Sequence, residues 1–352
     1  MIIGRTVSLA ALSIMCGCAS VGPRTVQMDR IDYNTVIADS WKEQTLLNIV
    51  RLRYMDLPVF VDVSSIVAGY SLQTGVTVGA NQVPAQPSTV AGGISMQGIY
   101  TDRPTITYMP MTGEKFLRGL VTPIDPRHIF FMIQSGYAAD FLLAMTVESL
   151  NGVHNRSSLG GAIREADPDF RRVLQLIRNL QGAGAVGLRI EKDKTRDSTA
   201  VFFFQREDLS PELKANAEEV RRLLHLPDGV DRFNLVYSPM RGAADELTVN
   251  SRSMLQILLA ISGAVAVPEA DVASGTALPG FTEGAPGEQG TIRSSTERPQ
   301  GAFTAVRYRD LWFWVDDKDL VTKRSLAAIN FFFAMSDAGN DSQLPLITIP
   351  AQ

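Results

Sequence analysis

The most regular hydrophobic pattern in the chain is a strict alternation. Ile66, Ala68, Tyr70, Leu72, Thr74, Val76, Val78 and Ala80 alternate with Val67, Gly69, Ser71, Gln73, Gly75, Thr77, Gly79 and Asn81. After a turn carrying Pro84, Gln86 and Pro87, Val90, Ile94, Met96 and Tyr100 alternate with Ala91, Ser95, Gln97 and Thr101. A period of two places apolar residues on one face of a strand, so residues 65–101 are predicted to form a long amphipathic β-hairpin. Each arm has about 12 residues at roughly 3.3 Å rise, about 40 Å of strand, which at a tilt near 40° covers the roughly 25 Å apolar band of an outer-membrane barrel. The same alternation also describes a hairpin packed on the protein or on a neighbouring subunit, or a mobile loop.

Elsewhere the period is helical. A helix is predicted from near Asn34 or Ser40, where Ser40-Trp41-Lys42-Glu43 has the form of a capping box, to Tyr54, with Leu46, Ile49, Val50 and Arg53 on one face. Asp56-Leu57-Pro58 stops it, and a strand Val59–Ser64 follows. Arg103–Tyr108 reads as a strand, Thr112–Val121 as a helix, and His128–Leu150 as a buried helix or pair of helices. A helix with Pro168 in its first turn runs to Gln181. Three strand-strand-helix units follow: Val186–Glu191, Thr199–Gln205 and helix Pro211–Leu224; Phe233–Tyr237, Glu246–Val249 and a helix from Ser251 to Gly263; Phe303–Tyr308, Leu311–Val315 and helix Lys318–Met335. Helices on one face of short antiparallel sheets give an α+β class. The predicted organisation is one α+β domain over 34–268 with the hairpin inserted, a loop rich in Gly, Pro, Ser and Thr over 269–300, and a C-terminal unit 301–352 packed on the same domain.

Charge sharpens the reading of the hairpin. The chain is 20% charged over 352 residues, yet Val63 to Thr101 contains no Asp, Glu, Lys or Arg. A solvated strand face or an exposed edge ordinarily carries charge, so this gap favours burial in lipid or protein. Globally, 33 Lys and Arg against 37 Asp and Glu leave no basic footprint for nucleic acid, and 45% hydrophobic content excludes a disordered chain. With 2 Cys and 3 His, no Cys-rich or His-rich metal centre and no cofactor is expected.

Both Cys fall within the first eighteen residues. Arg5, an apolar run from Val7 to Met15 and then Cys16-Gly17-Cys18-Ala19-Ser20 read as a secretion signal over 1–17, too short in its apolar part to span a bilayer. Gly17 before Cys18 resembles a bacterial lipobox, which implies cleavage after Gly17 and acylation of Cys18, a lipid anchor rather than a span. Ala19 in place of Asp favours the outer membrane by the same analogy, and residues 18–33 read as a tether.

Motifs that would carry chemistry are sparse. Gly182-Ala183-Gly184-Ala185-Val186-Gly187 spells a dinucleotide fingerprint, but a helix precedes it and a strand follows, the reverse of what phosphate binding at a helix N-terminus needs; a helix C-cap accounts for it. Asp316, Asp317 and Asp319 follow Trp312-Phe313-Trp314 at a strand-to-helix junction. They read as a helix cap, or as a ligand site with Trp312 and Trp314 as an aromatic platform. His128, His154 and His225 have no metal-ligand spacing, and no nucleophile elbow or Walker loop occurs.

In Glu43–Ile66, Arg103–Phe116, Trp312–Ser325 and Leu344–Pro350 the chain resembles a group of uncharacterised proteobacterial envelope lipoproteins. The resemblance implies an envelope location and supplies no activity or catalytic residue. The expected protein is therefore a non-enzymatic outer-membrane lipoprotein facing the periplasm. Its partners would be membrane lipid through Cys18 and copies of itself or other envelope proteins. The hairpin positions Tyr70, Leu72, Val76, Val78, Ile94, Met96 and Tyr100 would form a pore or a docking strand. The alternatives are an accessory or pilot lipoprotein for a transport or secretion complex, and a cell-wall glycan binder or hydrolase centred on the Trp and Asp cluster.

Overall fold

Pro23 supplies a favourable first-turn residue, and nothing between it and Met55 breaks a helix. The chain accordingly forms one helix, α1 (Gly22–Arg53), longer than the pattern predicts. Ser40 is an interior residue rather than a cap, and the segment expected as a tether is helical from Gly22. The computed structural model describes residues 22–67, 70–82, 90–157, 163–191, 199–204, 209–281 and 291–337. The leader with Gly17 and Cys18 and the C-terminal Leu344–Pro350 lie outside the described residues.

The class is α+β, and the chain divides into two compact units, 1–40 with 61–111 and 41–60 with 112–352. In the first, β1 (Val61–Val67) pairs antiparallel with β4 (Thr105–Pro110), and β2 (Tyr70–Gln82) pairs antiparallel with β3 (Val90–Asp102). The register runs without a slip from Ser65↔Thr107 to Gln82↔Val90. The strands expected separately at Val59–Ser64 and Arg103–Tyr108 are thus the base of the same ribbon. One irregularity, a bulge between Val63 and Ser65, shifts the parity there.

The second unit holds a six-stranded sheet of order β6-β5-β10-β9-β8-β7, made of β5 (Val147–Leu150), β6 (Val153–His154), β7 (Val186–Glu191), β8 (Thr199–Phe204), β9 (Arg232–Tyr237) and β10 (Glu246–Ser251). Two expectations are corrected here. Val147–Leu150, assigned to a helix by its apolar spacing, is a strand: the helices are α3 (Pro126–Gln134) and α4 (Ala139–Thr146), and the chain extends at Val147 to pair with β10. And β9 and β10, expected as an antiparallel pair, run parallel. Parallel neighbours usually need a crossover of about a dozen residues or more. Here 238–245 suffice, folded tightly enough that Asn234 donates to the Asp245 carbonyl (2.7 Å) and Ala243 to the Glu246 carboxylate (2.9 Å).

Helices α5 (Pro168–Gly182) and α6 (Pro211–Leu223) pack against each other, and α5 buries Phe170, Val173, Leu176, Ile177 and Leu180. The glycine run ends α5 as a cap: Gly184 has φ +68°, and the Ala185 N–H reaches the Leu180 carbonyl at 2.8 Å. His225 takes the equivalent left-handed place after α6, with φ 52°. Phe130, Phe202, Phe204 and Phe233 form a chain of edge contacts, the longest 6.3 Å between ring centres.

The remaining elements are α2 (Glu114–Val121), α7 (Met254–Ser262), α8 (Glu269–Ala273), β11 (Arg293–Ser295), β12 (Ala302–Tyr308), β13 (Leu311–Asp316) and α9 (Leu320–Asp337). Part of the predicted 269–300 loop is thus α8 and β11, and β11 joins a three-stranded antiparallel sheet β11-β13-β12. Phe313 and Val315 are fully buried, and Phe60 packs on Phe333 at 5.0 Å and on Phe116 at 5.9 Å. Asn48 fixes the exit of α1 by donating to the Val59 carbonyl (2.8 Å) and accepting its N–H (2.9 Å).

At the centre of the second unit, Arg252 is 2% exposed. Its Nε donates to Glu148 at 2.9 Å, and its Nη atoms donate to the Ala144, Met145 and Arg156 carbonyls. Arg164 closes on the other Glu148 oxygen at 2.6 Å. Burial pulls the Arg252 guanidinium below its ordinary range, opposed by the Glu148 charge. Arg252→Ala leaves Glu148 and three carbonyls short of their donor, and is expected to cost about 3–5 kcal/mol in urea unfolding. Arg164→Ala, at the exposed side, is expected to cost under about 1 kcal/mol. Equal losses for the two would refute this assignment.

Candidate functional site

Two places in the structure gather the residues singled out from sequence. The first is the ribbon β1–β4. Its register sets like against like: Leu72 opposite Tyr100, Val76 opposite Met96 and Val78 opposite Ile94, while Ser71 lies opposite Thr101 and Thr77 opposite Ser95. All seven candidate positions of the hairpin fall in one row, which Asp102, opposite Tyr70, bounds. Ile66 meets Ile106 above the bulge, and the bulge keeps that row apolar below it, since Val63 meets Tyr108 and Val61 meets Pro110. The other row is uncharged from Ser71 to Asn81 and from Ala91 to Thr101, with Arg103, two residues past Thr101, and Asp62 at its base.

β4 is exposed along its whole length. Tyr108 is 61% and Ile106 39% exposed in one row, and Met109 47% and Val67 43% in the other. Gln73, Gln97 and Ile99 are exposed further along. No third strand joins either two-stranded sheet among the described residues. A two-stranded ribbon open on both faces is marginal in water, and its outer backbone groups form two long edges without charge to guard them.

The second place is the outer face of β11-β13-β12. Alternation buries Phe313 and Val315 and leaves Trp312 and Trp314 half-buried on the opposite side. Their ring faces are already taken: Arg298 lies 5.2 Å from Trp312 and Arg293 5.2 Å from Trp314. The carboxylates are engaged as well. Asp316 accepts the Lys318 N–H (3.0 Å) and approaches Arg293 (3.5 Å), and Asp317 pairs with Lys323 (2.7 Å). Asp319 accepts the N–H groups of Val321, Thr322 and Thr291 and the Thr322 hydroxyl. Burial works against its ionisation, and those four donors together hold its carboxyl below the usual range. A sugar would have to displace two guanidinium groups to stack on these rings. No cluster of metal-ligating residues occurs among the described residues.

One constellation had no sequence signal. Tyr54 donates to Asp271 (2.7 Å) under the Arg309 guanidinium (4.6 Å), and Arg309 also reaches Asp56 (3.3 Å). Burial first, and then Asp271, push the Tyr54 hydroxyl above its ordinary range. Arg309 and Asp310 form the two-residue β12–β13 turn with φ 46° and 64°, a conformation usually given to Asn-Gly. His128 and His154 stand apart, His154 lying 3.7 Å from Asp167.

No family model, no curated protein and no solved structure matches the chain.

Asp319→Ala is expected to lower stability by about 1 kcal/mol at pH 7, the ordinary value of a helix cap. Because the folded-state pKa is depressed, this contribution is present above about pH 4 and is lost as pH falls through the lowered pKa. The gap between the native chain and the variant should therefore close in acid. A gap constant from pH 7 to pH 2.5 would show that the carboxylate charge is not responsible.

Proposed function

We propose that the chain is a lipid-anchored structural subunit of the cell envelope, held to the outer membrane by acylated Cys18, whose ribbon 61–110 joins the ribbons of further copies into a β-barrel. The observation that carries the reading is the common register of the described pairs, Ser65↔Thr107 to Val67↔Thr105 and Tyr70↔Asp102 to Gln82↔Val90, which sets an apolar row along one face, with no third strand on either side among the described residues. Lipid is the solvent that tolerates an uncharged apolar row, and it demands that every backbone group be paired, which only closure with other strands provides. Thirteen paired residues per arm, at roughly 3.3 Å rise and a tilt near 40°, project to about 33 Å, enough for the apolar band. Tyr70 and Tyr100 beside Asp102 stand where a barrel places its aromatic girdle. The sequence Gly17-Cys18 supports the anchor. No helix of the described residues is long and apolar enough to cross a membrane.

Copies of the same chain are favoured over a foreign partner because both edges are equally unguarded. A heterologous edge contact then repeats until a ring closes. In mild detergent the full-length protein is expected to run as a large ring, and a chain with residues 65–101 replaced by a short turn is expected to run as a folded monomer. A monomer in both cases, or co-purification of one copy with a larger transport component, would overturn the barrel. Separately, Cys18→Ser is expected to abolish incorporation of labelled palmitate and release the protein from the membrane fraction when 65–101 is also removed; continued labelling would place the acyl chain elsewhere.

A further inference from the structure

The apolar row has a counterpart whose composition is equally specific. Its register pairs are Ser71↔Thr101, Gln73↔Ile99, Gly75↔Gln97, Thr77↔Ser95, Gly79↔Gly93 and Asn81↔Ala91. Apart from Ile99 these are hydroxyl, carboxamide, glycine and alanine residues, and none is ionisable. We infer that the assembled ribbons enclose a wet but charge-neutral passage, which admits small hydrophilic solutes and ions without distinguishing cations from anions. The inference rests on the barrel reading and adds to it what the barrel passes.

Three arguments support it. Opposite rows of a strand face opposite sides of a barrel wall, so if the row of Leu72, Val76 and Val78 meets lipid, the row of Gln73 and Gln97 meets the lumen. Channels that select by charge do so with rings of Asp and Glu or of Arg and Lys, and each copy adds none over Ser65–Asn81 or Ala91–Thr101. The nearest charge of that row is Arg103, two residues beyond Thr101 and roughly 7 Å along the strand, at the mouth of the passage, while Asp62 stands roughly 30 Å below Ser71. With a Debye length of about 8 Å at physiological salt, the field of Arg103 fades over the roughly 30 Å of uncharged strand from Thr101 to Ala91. The hydroxyl and amide groups keep the surface wettable, so the neutral wall is not a dewetting gate. Glycine at positions 75, 79 and 93 adds no bulk to the wall.

Width follows from the strand count. Eight strands enclose an interior that side chains fill, whereas about sixteen leave an aqueous channel. At two strands per copy, an open passage calls for about eight copies.

The test is conductance of the lipidated full-length assembly in a planar bilayer separating two KCl concentrations. A K+ to Cl− permeability ratio within about twofold of one is expected. Gln73→Glu is expected to make the passage several-fold cation-selective and Gln97→Lys several-fold anion-selective, while Val76→Glu, in the lipid row, removes membrane insertion. Rings that conduct with a strong preference for one ion in the native chain, or whose preference ignores both glutamine variants, overturn the neutral lumen and leave the barrel standing. Rings that never conduct also overturn it, whereas absence of any ring overturns the barrel itself.

Discussion

The second unit is organised around one charge that has nowhere to go. Arg252 sits immediately after β10, and its guanidinium is spread over Glu148 and the carbonyls of Ala144, Met145 and Arg156, while its backbone N–H reaches Thr146. All of these partners but Arg156 lie where α4 gives way to β5. Unravelling that junction would strand a cation in an apolar interior at a cost of several kcal/mol. The abrupt change from helix to strand at Val147, the pairing of β5 with β10, and the start of α7 at Met254 are therefore tied together. A hydrophobic core alone tolerates slippage; a buried, fully engaged guanidinium does not.

The first unit has the opposite character. Its strands carry local order in their alternation but bury little, and both rows of β4 are open. A single copy thus leaves Tyr108 and Met109, on opposite faces of β4, open to its surroundings. The tryptophan face is largely engaged: a cation lies over each ring, and its carboxylates bind Lys318, Lys323 and the start of α9, while the buried Trp314 Nε1 has no acceptor.

How much of this was readable in the residues depended on range. Period two marked β2 and β3 as strands that pair with one another, because pairing between neighbouring arms is a local matter. The same holds for β12, β13 and α9, whose strands and helix follow directly in sequence. What failed was non-local or permissive. Nothing in Phe233–Tyr237 or Glu246–Val249 tells a strand which side its neighbour will take, so the parallel pairing was invisible. Glu148 and Arg252 are 104 positions apart, beyond any spacing rule. Val147–Leu150 continues an apolar run that α4 began, and only its pairing with β10 makes it a strand. The extra turns of α1 carry no cap and were open to a helix rather than marked for one. Of the candidate site residues, those in the hairpin shared a row as their parity requires, whereas the partners of the Asp residues, Thr291 and Lys323 among them, carried no signature.

The bulge at Val63/Ser65 gives the ribbon a grammar of length change. Because rows are set by parity, Val61 and Val63 share the row of Tyr108 only because the bulge absorbs one residue, and adding two residues to each arm beyond it would lengthen the ribbon with rows intact, whereas adding one to each would turn everything past the insertion to the other face. Descendants of this chain would thus tolerate matched two-residue insertions in 70–82 and 90–102 and reject unmatched or odd ones. The reach of the ribbon can then drift in evolution, in steps of about 6.6 Å, while its two faces stay fixed.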